Sequence, residues 1–128
     1  MFSNTPLLKD IAIVCGLNNK ARINYENQEF SKLGEPTEAA LKVLTEKIGQ
    51  YDKSLANIDR TKEPEAYSKS LEQKIKKVAT LDFTSERKSM STVVKGYNTM
   101  GNTLLIKGAP EKIIAKCSTY RRADGVSE

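Results

Sequence analysis

Three stretches of the sequence carry side chains that could do chemistry. In "IKGAPE", residues 106–111, a strand-like run enters a glycine and then a helix with Pro110 in its first turn. Gly108 permits a sharp turn and close backbone approach by a ligand. Lys107 and the free N–H groups of the helix start then stand together, a favourable place for an anion. The same pattern also serves as a plain strand-to-helix turn. In "DFTSERKSMS", residues 82–91, Phe83 lies close to Arg87 and Lys88 within a run of strands. An exposed aromatic beside cations holds a nucleotide by stacking and charge, with stacking worth about 1–3 kcal/mol per base. The competing reading is a core phenylalanine with a solvated turn. Glu35, just ahead of a helix, is a hydrogen-bond acceptor for a ligand or a helix-capping acid.

The inventory removes other chemistries. The chain has no histidine and two cysteines, with no CxxC. A zinc site, a Ser-His-Asp triad and a histidine base are thereby excluded. Cys15 and Cys117 sit in apolar contexts and are expected to be reduced, buried and structural. There is no GxxxxGK[ST] and no GxGxxG, so neither a P-loop nor a Rossmann site is indicated.

The elements that must position these residues follow from periodicity and capping. With 128 residues, 38% hydrophobic and 29% charged, the chain suits one domain with one core. Leu7, Leu8, Ile11, Ala12 and Cys15 share a helical face, with Gly16 as the expected stop. Residues 21–30 alternate and read as a short strand or hairpin. "GEPTEAALKVLTEKIG" places Pro36 in a first turn, Ala40, Leu41, Leu44 and Ile48 on the core face, and Gly49 at the end. A flexible surface connection is expected over about 50–65, then a helix over 64–77 with Tyr67, Leu71, Ile75 and Val78 in line. Strands are expected at 78–84, 89–95 and 103–107, with "GYNTMGN" as the turn between the last two. "APEKIIAKC" opens a helix whose Ile113, Ile114 and Cys117 face inward. The tail from residue 118 reads as the start of a further strand or loop. Helices and antiparallel strands in separate runs predict an α+β fold, an antiparallel β-sheet flanked by helices.

The net charge is +5. Its densest patches, Lys74–Lys77 and Arg121–Arg122, lack the interleaved aromatics of a single-strand binder, and no nucleic-acid motif is present, so a solvated surface is the simpler reading. The longest apolar run, Ile11 to Cys15, is far below the roughly 20 residues needed to span a bilayer. "MFSNTPLLKD" has neither the basic start nor the apolar core of a signal peptide.

Taken in order, "GEPTEAALKVLTEKIG", "LDFTSERKSMSTVV" and "LLIKGAPEKIIAKC" resemble the nucleotide-binding (N) domain of P-type ATPases, most closely calcium pumps of the endoplasmic-reticulum class. The likeness spans the whole chain and is weakest over residues 50–75. Plasma-membrane calcium pumps and sodium/potassium-type pumps are the sibling alternatives, since "RKSMSTVV" also resembles the plasma-membrane class. The resemblance implies that Phe83 stacks on adenine, that Glu35 meets the adenine amino group, and that Lys107 lines the pocket floor with Gly108 and Ala109 as backbone wall. Lys88 and Met90 fall on further pocket-lining positions.

Ser85 departs from the pattern, because such pumps commonly carry an arginine two residues after the aromatic. Arg87 is then a candidate for phosphate contact. The D-K-T-G aspartate, a second pocket arginine and leucine, and membrane spans belong to parts not found in this sequence.

The expected role is therefore a single nucleotide-binding fragment, 1–128, of a pump on the cytosolic face of a membrane. It would hold ATP, as Mg-ATP in a full-length pump, for phosphorylation and actuator domains of the same parent chain. By itself it is expected to be inactive in hydrolysis and to bind adenine nucleotides near millimolar, about −4 kcal/mol. The alternative is a basic α+β module binding protein or nucleic acid.

Overall fold

A computed structural model describes residues 5–98 and 101–128. Part of the turn expected at 96–102 therefore lies outside the described residues. The order of elements is α1 (Pro6–Leu17), β1 (Arg22–Glu26), β2 (Glu29–Leu33), α2 (Pro36–Gly49), a 3₁₀ turn (Lys53–Leu55), α3 (Ala66–Lys74), β3 (Lys76–Thr84), β4 (Ser89–Lys95), β5 (Asn102–Gly108) and α4 (Pro110–Ile114). The fold is α+β as expected, with two separate antiparallel sheets, β1–β2 and β3–β4–β5. β1 and β2 form a tight hairpin, because Asn27 and Gln28 both take positive φ (52° and 64°), the two-residue turn that matches strand twist.

α1 and α3 pack against the larger sheet, and α2 packs on both of them and on the β1–β2 hairpin. The core joins Ala12, Ile13 and Leu17 of α1, Ile48 of α2, Tyr67 and Leu71 of α3, and Val94 and Leu105 of β4 and β5. Ile75, where the backbone leaves helix for strand at φ −124° and ψ 112°, completes it. The helix expected to run to residue 77 ends there, so Val78 sits on β3 and is exposed. β3 is an edge strand, not the middle of the sheet.

The expected core face of α2 is turned by about one residue. Ala39, Lys42, Thr45, Ile48 and Gly49 are buried, whereas Ala40 and Leu44 are exposed. At roughly 100° per residue, a one-residue error swaps a flank of the helix for its face. The physical cause is α1. A Cβ on Gly16 would stand 2.8 Å from Thr45 Cγ2, so the helices meet through small residues, and the bulkier Val43 and Leu44 are left outside. Gly16 is thus a contact residue inside α1, which continues to Leu17, whereas Gly49 ends α2 as expected, close against the Tyr67 ring.

Lys42 has only 1% of its surface exposed, and its Nζ donates to the Gly16 carbonyl at 3.0 Å. Burial pushes its ammonium below the ordinary lysine range, opposed in part by Glu65 and Glu72. The stretch between α2 and α3 is tied to the body where Arg60 meets Glu46.

The C-terminal end differs most from expectation. α4 has five residues and packs on β5 alone among the larger contacts, so Ile114 is 71% exposed and Cys117 is exposed, while Ile113 is half-buried. Among the described residues no layer covers that side, so an inward face has nothing to face. The tail forms a small loop closed by the Arg121–Ser127 bridge and paired bonds between Tyr120 and Glu128. Arg121 Nε fastens it to Asp10 of α1 at 2.6 Å.

Candidate functional site

The candidate residues gather at the end of the three-stranded sheet that meets the start of α2. Register explains how. Leu81 pairs with Ser91, and Thr84 with Ser89, so two residues of β3, Asp82 and Phe83, stand opposite the single Met90 of β4. One extra residue in a strand is a β-bulge, a device that re-aims a side chain. Met90 in turn pairs with Lys107 of β5. Phe83, Met90 and Lys107 therefore form one row across three strands. Phe83 is 60% exposed and Met90 is buried, so the row has an open aromatic at one end and an apolar floor beside it. The ring is free to be stacked upon, rather than packed as core.

Lys107 closes the other end. Its Nζ lies 2.8 Å from Glu38 Oε1, with both side chains about one-fifth exposed (20% and 18%). Lys107 also lies near the half-buried thiol of Cys15, whose pKa is raised by burial and only partly offset by the ammonium.

The acid bonded to Lys107 in the row is Glu38, in the first turn of α2. Glu35 is the N-cap residue: its backbone carbonyl accepts from Ala39 N–H at 2.9 Å, while its side chain is exposed and makes no capping bond. Glu38 lies one turn before Lys42 on the buried face, whereas in the sequence it reads, with Thr37, as an acid favouring the helix start through the dipole.

The other predicted residues frame the row. Ser89 pairs with Gly108, and a Cβ at 108 would lie 2.4 Å from the Lys88 carbonyl and 2.8 Å from Ser89 Cα. The neighbouring strand alone therefore demands glycine there. Ala109 N–H donates to the Lys88 carbonyl at 3.0 Å, joining the start of α4 to the β3–β4 turn. Lys88 takes a left-handed φ of 52°, and its N–H donates to Thr84 O at 2.7 Å. Arg87 is folded back on its own hairpin: its guanidinium donates to the carbonyls of Asp82 and Ser89.

Sequence reasoning missed the joint that holds these parts together, the segment "LNNKA" after α1. Buried Asn18 donates through Nδ2 to the carbonyls of Met90 (3.0 Å) and Leu105 (3.3 Å), and its Oδ1 accepts from Thr92 Oγ1 (2.9 Å). Asn19 Nδ2 donates to Cys15 O (2.9 Å) and Glu38 O (2.7 Å), and its Oδ1 accepts from Ala21 N (2.8 Å). One asparagine fixes β4 and β5 and the next fixes the first turn of α2, so Lys107 and Glu38 are placed by adjacent residues. Lys20 follows, with its N–H 3.4 Å from Glu38 Oε1 and its Nζ 2.6 Å from Asp82 Oδ1. The available signal was two consecutive asparagines after a helix, which reads as an ordinary turn.

Concavities lie elsewhere on the described surface. One, a cleft of about 860 Å³, runs between α1, α3 and the tail and includes Asp10, Tyr67 and Arg121. Among the described residues no helix is long and apolar enough to cross a membrane, and no three Cys, Asp or Glu side chains converge as metal donors.

Residues 7–128 match the family described as P-type ATPase, cytoplasmic domain N. Over 127 residues the chain is 40% identical to calcium-transporting ATPase 2, endoplasmic reticulum-type, of Arabidopsis thaliana. The match covers 92% of this chain and 12% of that relative's length.

Proposed function

The chain belongs to the P-type ATPases as their cytoplasmic domain N, and from that premise we propose that it binds ATP with the adenine stacked on Phe83. The observation that carries this reading is the row itself: an open ring, an apolar floor at Met90, and a fixed Glu38–Lys107 pair beyond it. Phe83 supplies stacking, worth about 1–3 kcal/mol. Glu38, whose Oε1 is held by Lys107, offers its second oxygen to the exocyclic amino group. Lys107 keeps that carboxylate oriented, while Lys88, Gly108 and Ala109 line the side where the β3–β4 turn and α4 meet. In this reading Glu38 takes the part that the resemblance assigns to Glu35.

The parent is read as a calcium-transporting pump, from the relative's kind. The domain would grip adenine and present the γ-phosphate, with Mg²⁺ carried on the triphosphate, to a phosphorylation domain that supplies the accepting aspartate. Positioning is a large part of phosphoryl transfer, because the transferred group needs alignment more than covalent help. The domain would work on the cytosolic side of an internal membrane, in contact with the phosphorylation and actuator domains of its parent.

Calorimetric titration of the chain with ATP tests the reading. Saturable binding near millimolar is expected, and Phe83→Ala is expected to abolish it without lowering the melting temperature, because the ring is exposed. Binding that survives Phe83→Ala and falls steeply with salt would instead identify a polyanion-binding module.

A further inference from the structure

An exposed ring on an edge strand is a poor seat unless something holds the strand. Along β3 nearly every residue is exposed, so its Phe83 end gains little from core packing. Two cations converge there on one residue. Arg87 Nη2 donates to the Asp82 carbonyl and, at 3.4 Å, to the Ser89 carbonyl, so it bridges the two strands across the bulge. Its own N–H donates to Thr84 Oγ1 at 3.2 Å, which fixes the turn on the far side of Phe83. Lys20 takes the Asp82 carboxylate at 2.6 Å, tying the strand to the joint that carries Glu38. Asp82 is thus held at its carbonyl and at its carboxylate, one residue before the ring.

We propose that Arg87 and Lys20 are positioning residues that clamp Asp82 so that the Phe83 ring is preset for a purine base, and that Arg87 is not a phosphate ligand. Nη2 is committed to both carbonyls, so the guanidinium is anchored on the hairpin and only Nε and Nη1 remain to meet a phosphate unless the bulge is released. Presetting the ring lowers the ordering cost of binding, and this acts on any ligand carrying the base, whatever its phosphate count. The inference rests on the adenine reading above and refines it.

The test measures Kd for adenosine, ADP and ATP on the 128-residue chain and its variants. Arg87→Ala is expected to weaken all three by the same factor, about three- to tenfold. Arg87→Lys, whose ammonium stops one bond short of the position of Nη2, is expected to lose as much. Lys20→Ala is expected to lose about twofold, also uniformly, because the Lys20–Asp82 pair is solvent-exposed. Amide hydrogen exchange at Phe83 and Thr84 should quicken in Arg87→Ala while exchange at Val94 in the core does not.

A loss that grows from adenosine to ATP, with Arg87→Lys restoring ATP affinity, would overturn the proposal in favour of phosphate contact. Unchanged affinity and unchanged exchange in the Arg87 variants would overturn it as well, even where Phe83→Ala still abolishes binding. An unsubstituted chain that binds no adenosine would remove the adenine reading and this inference together.

Discussion

Between α1 and α2 the contacts are short and closed. Gly16 lies against Thr45, Thr45 Oγ1 donates to the Ala12 carbonyl at 3.3 Å, and Lys42 is sealed in with its ammonium on the Gly16 carbonyl. At the Phe83 end of the sheet the contacts are made by long side chains over open surface. Lysine and arginine side chains reach across solvent to Asp82, and the aromatic stands uncovered. The helical joint tolerates no added atom, because close-packed interiors have nowhere to put it. The sheet end tolerates many, because exposed pairs contribute little to folding. Stability and ligand binding are thus lodged in different places and should be separable by substitution.

The largest effect is expected where packing is tightest. Gly16→Val should destabilise the chain by about 3 kcal/mol, read as a lowered urea midpoint, since its Cβ alone would meet Thr45 at 2.8 Å. A midpoint unchanged within error would show the α1–α2 joint to be looser than described.

At the open end the expected losses are in affinity. Glu38→Ala should weaken adenosine binding about tenfold, or about 1.4 kcal/mol, whereas Glu35→Ala should change it less than about twofold. The reverse order would return the acid's role to the N-cap position.

Lys42 gives the comparison a pH dependence. Its folded value lies below the ordinary 10.5, so in that window the unfolded chain holds a proton that the folded chain has released, and stability rises with pH. The half-buried Lys77 is shifted the same way by burial and contributes in the same direction. Chemical denaturation between neutral pH and about 10 should therefore show a rise that is smaller in Lys42→Met. Equal slopes in the two chains would remove Lys42 as its source.

The smallest effect separates the two thiols. Cys117 is exposed and Cys15 half-buried with a raised pKa, so a disulfide reagent should label Cys117 at once and Cys15 slowly. Cys117→Ser should alter stability by less than about 0.5 kcal/mol.

What the sequence revealed follows the same division. The strands, the hairpin and the start of α2 were legible because alternation, turn residues and Pro36 act locally. The motifs around Phe83, Met90 and Lys107 were legible as strings, and the register places those three in one row. The rotation of α2 was not legible. Apolar spacing favoured Ala40, Leu41 and Leu44, but Gly16 selected the side bearing Ala39, Lys42 and Thr45, a choice made by the partner helix. Glu38 reads in the sequence as an acid favouring the helix start, which says nothing of its bond to Lys107. The asparagines at 18 and 19 were invisible for a related reason: their bonds run to strands and a helix turn far along the chain. Ile114 and Cys117 were assigned inward by periodicity alone, which cannot say whether anything packs against the face.

The account's central claim is most directly tested by solution NMR of the chain titrated with adenosine, which carries the base and no phosphate. The Phe83 ring protons should move upfield together with shifts at the Met90 methyl and the Lys107 side chain, and the shifts should vanish in Phe83→Ala. Saturating adenosine that leaves the Phe83 ring signals in place, or that moves residues of the α1–α3 cleft instead, would contradict it.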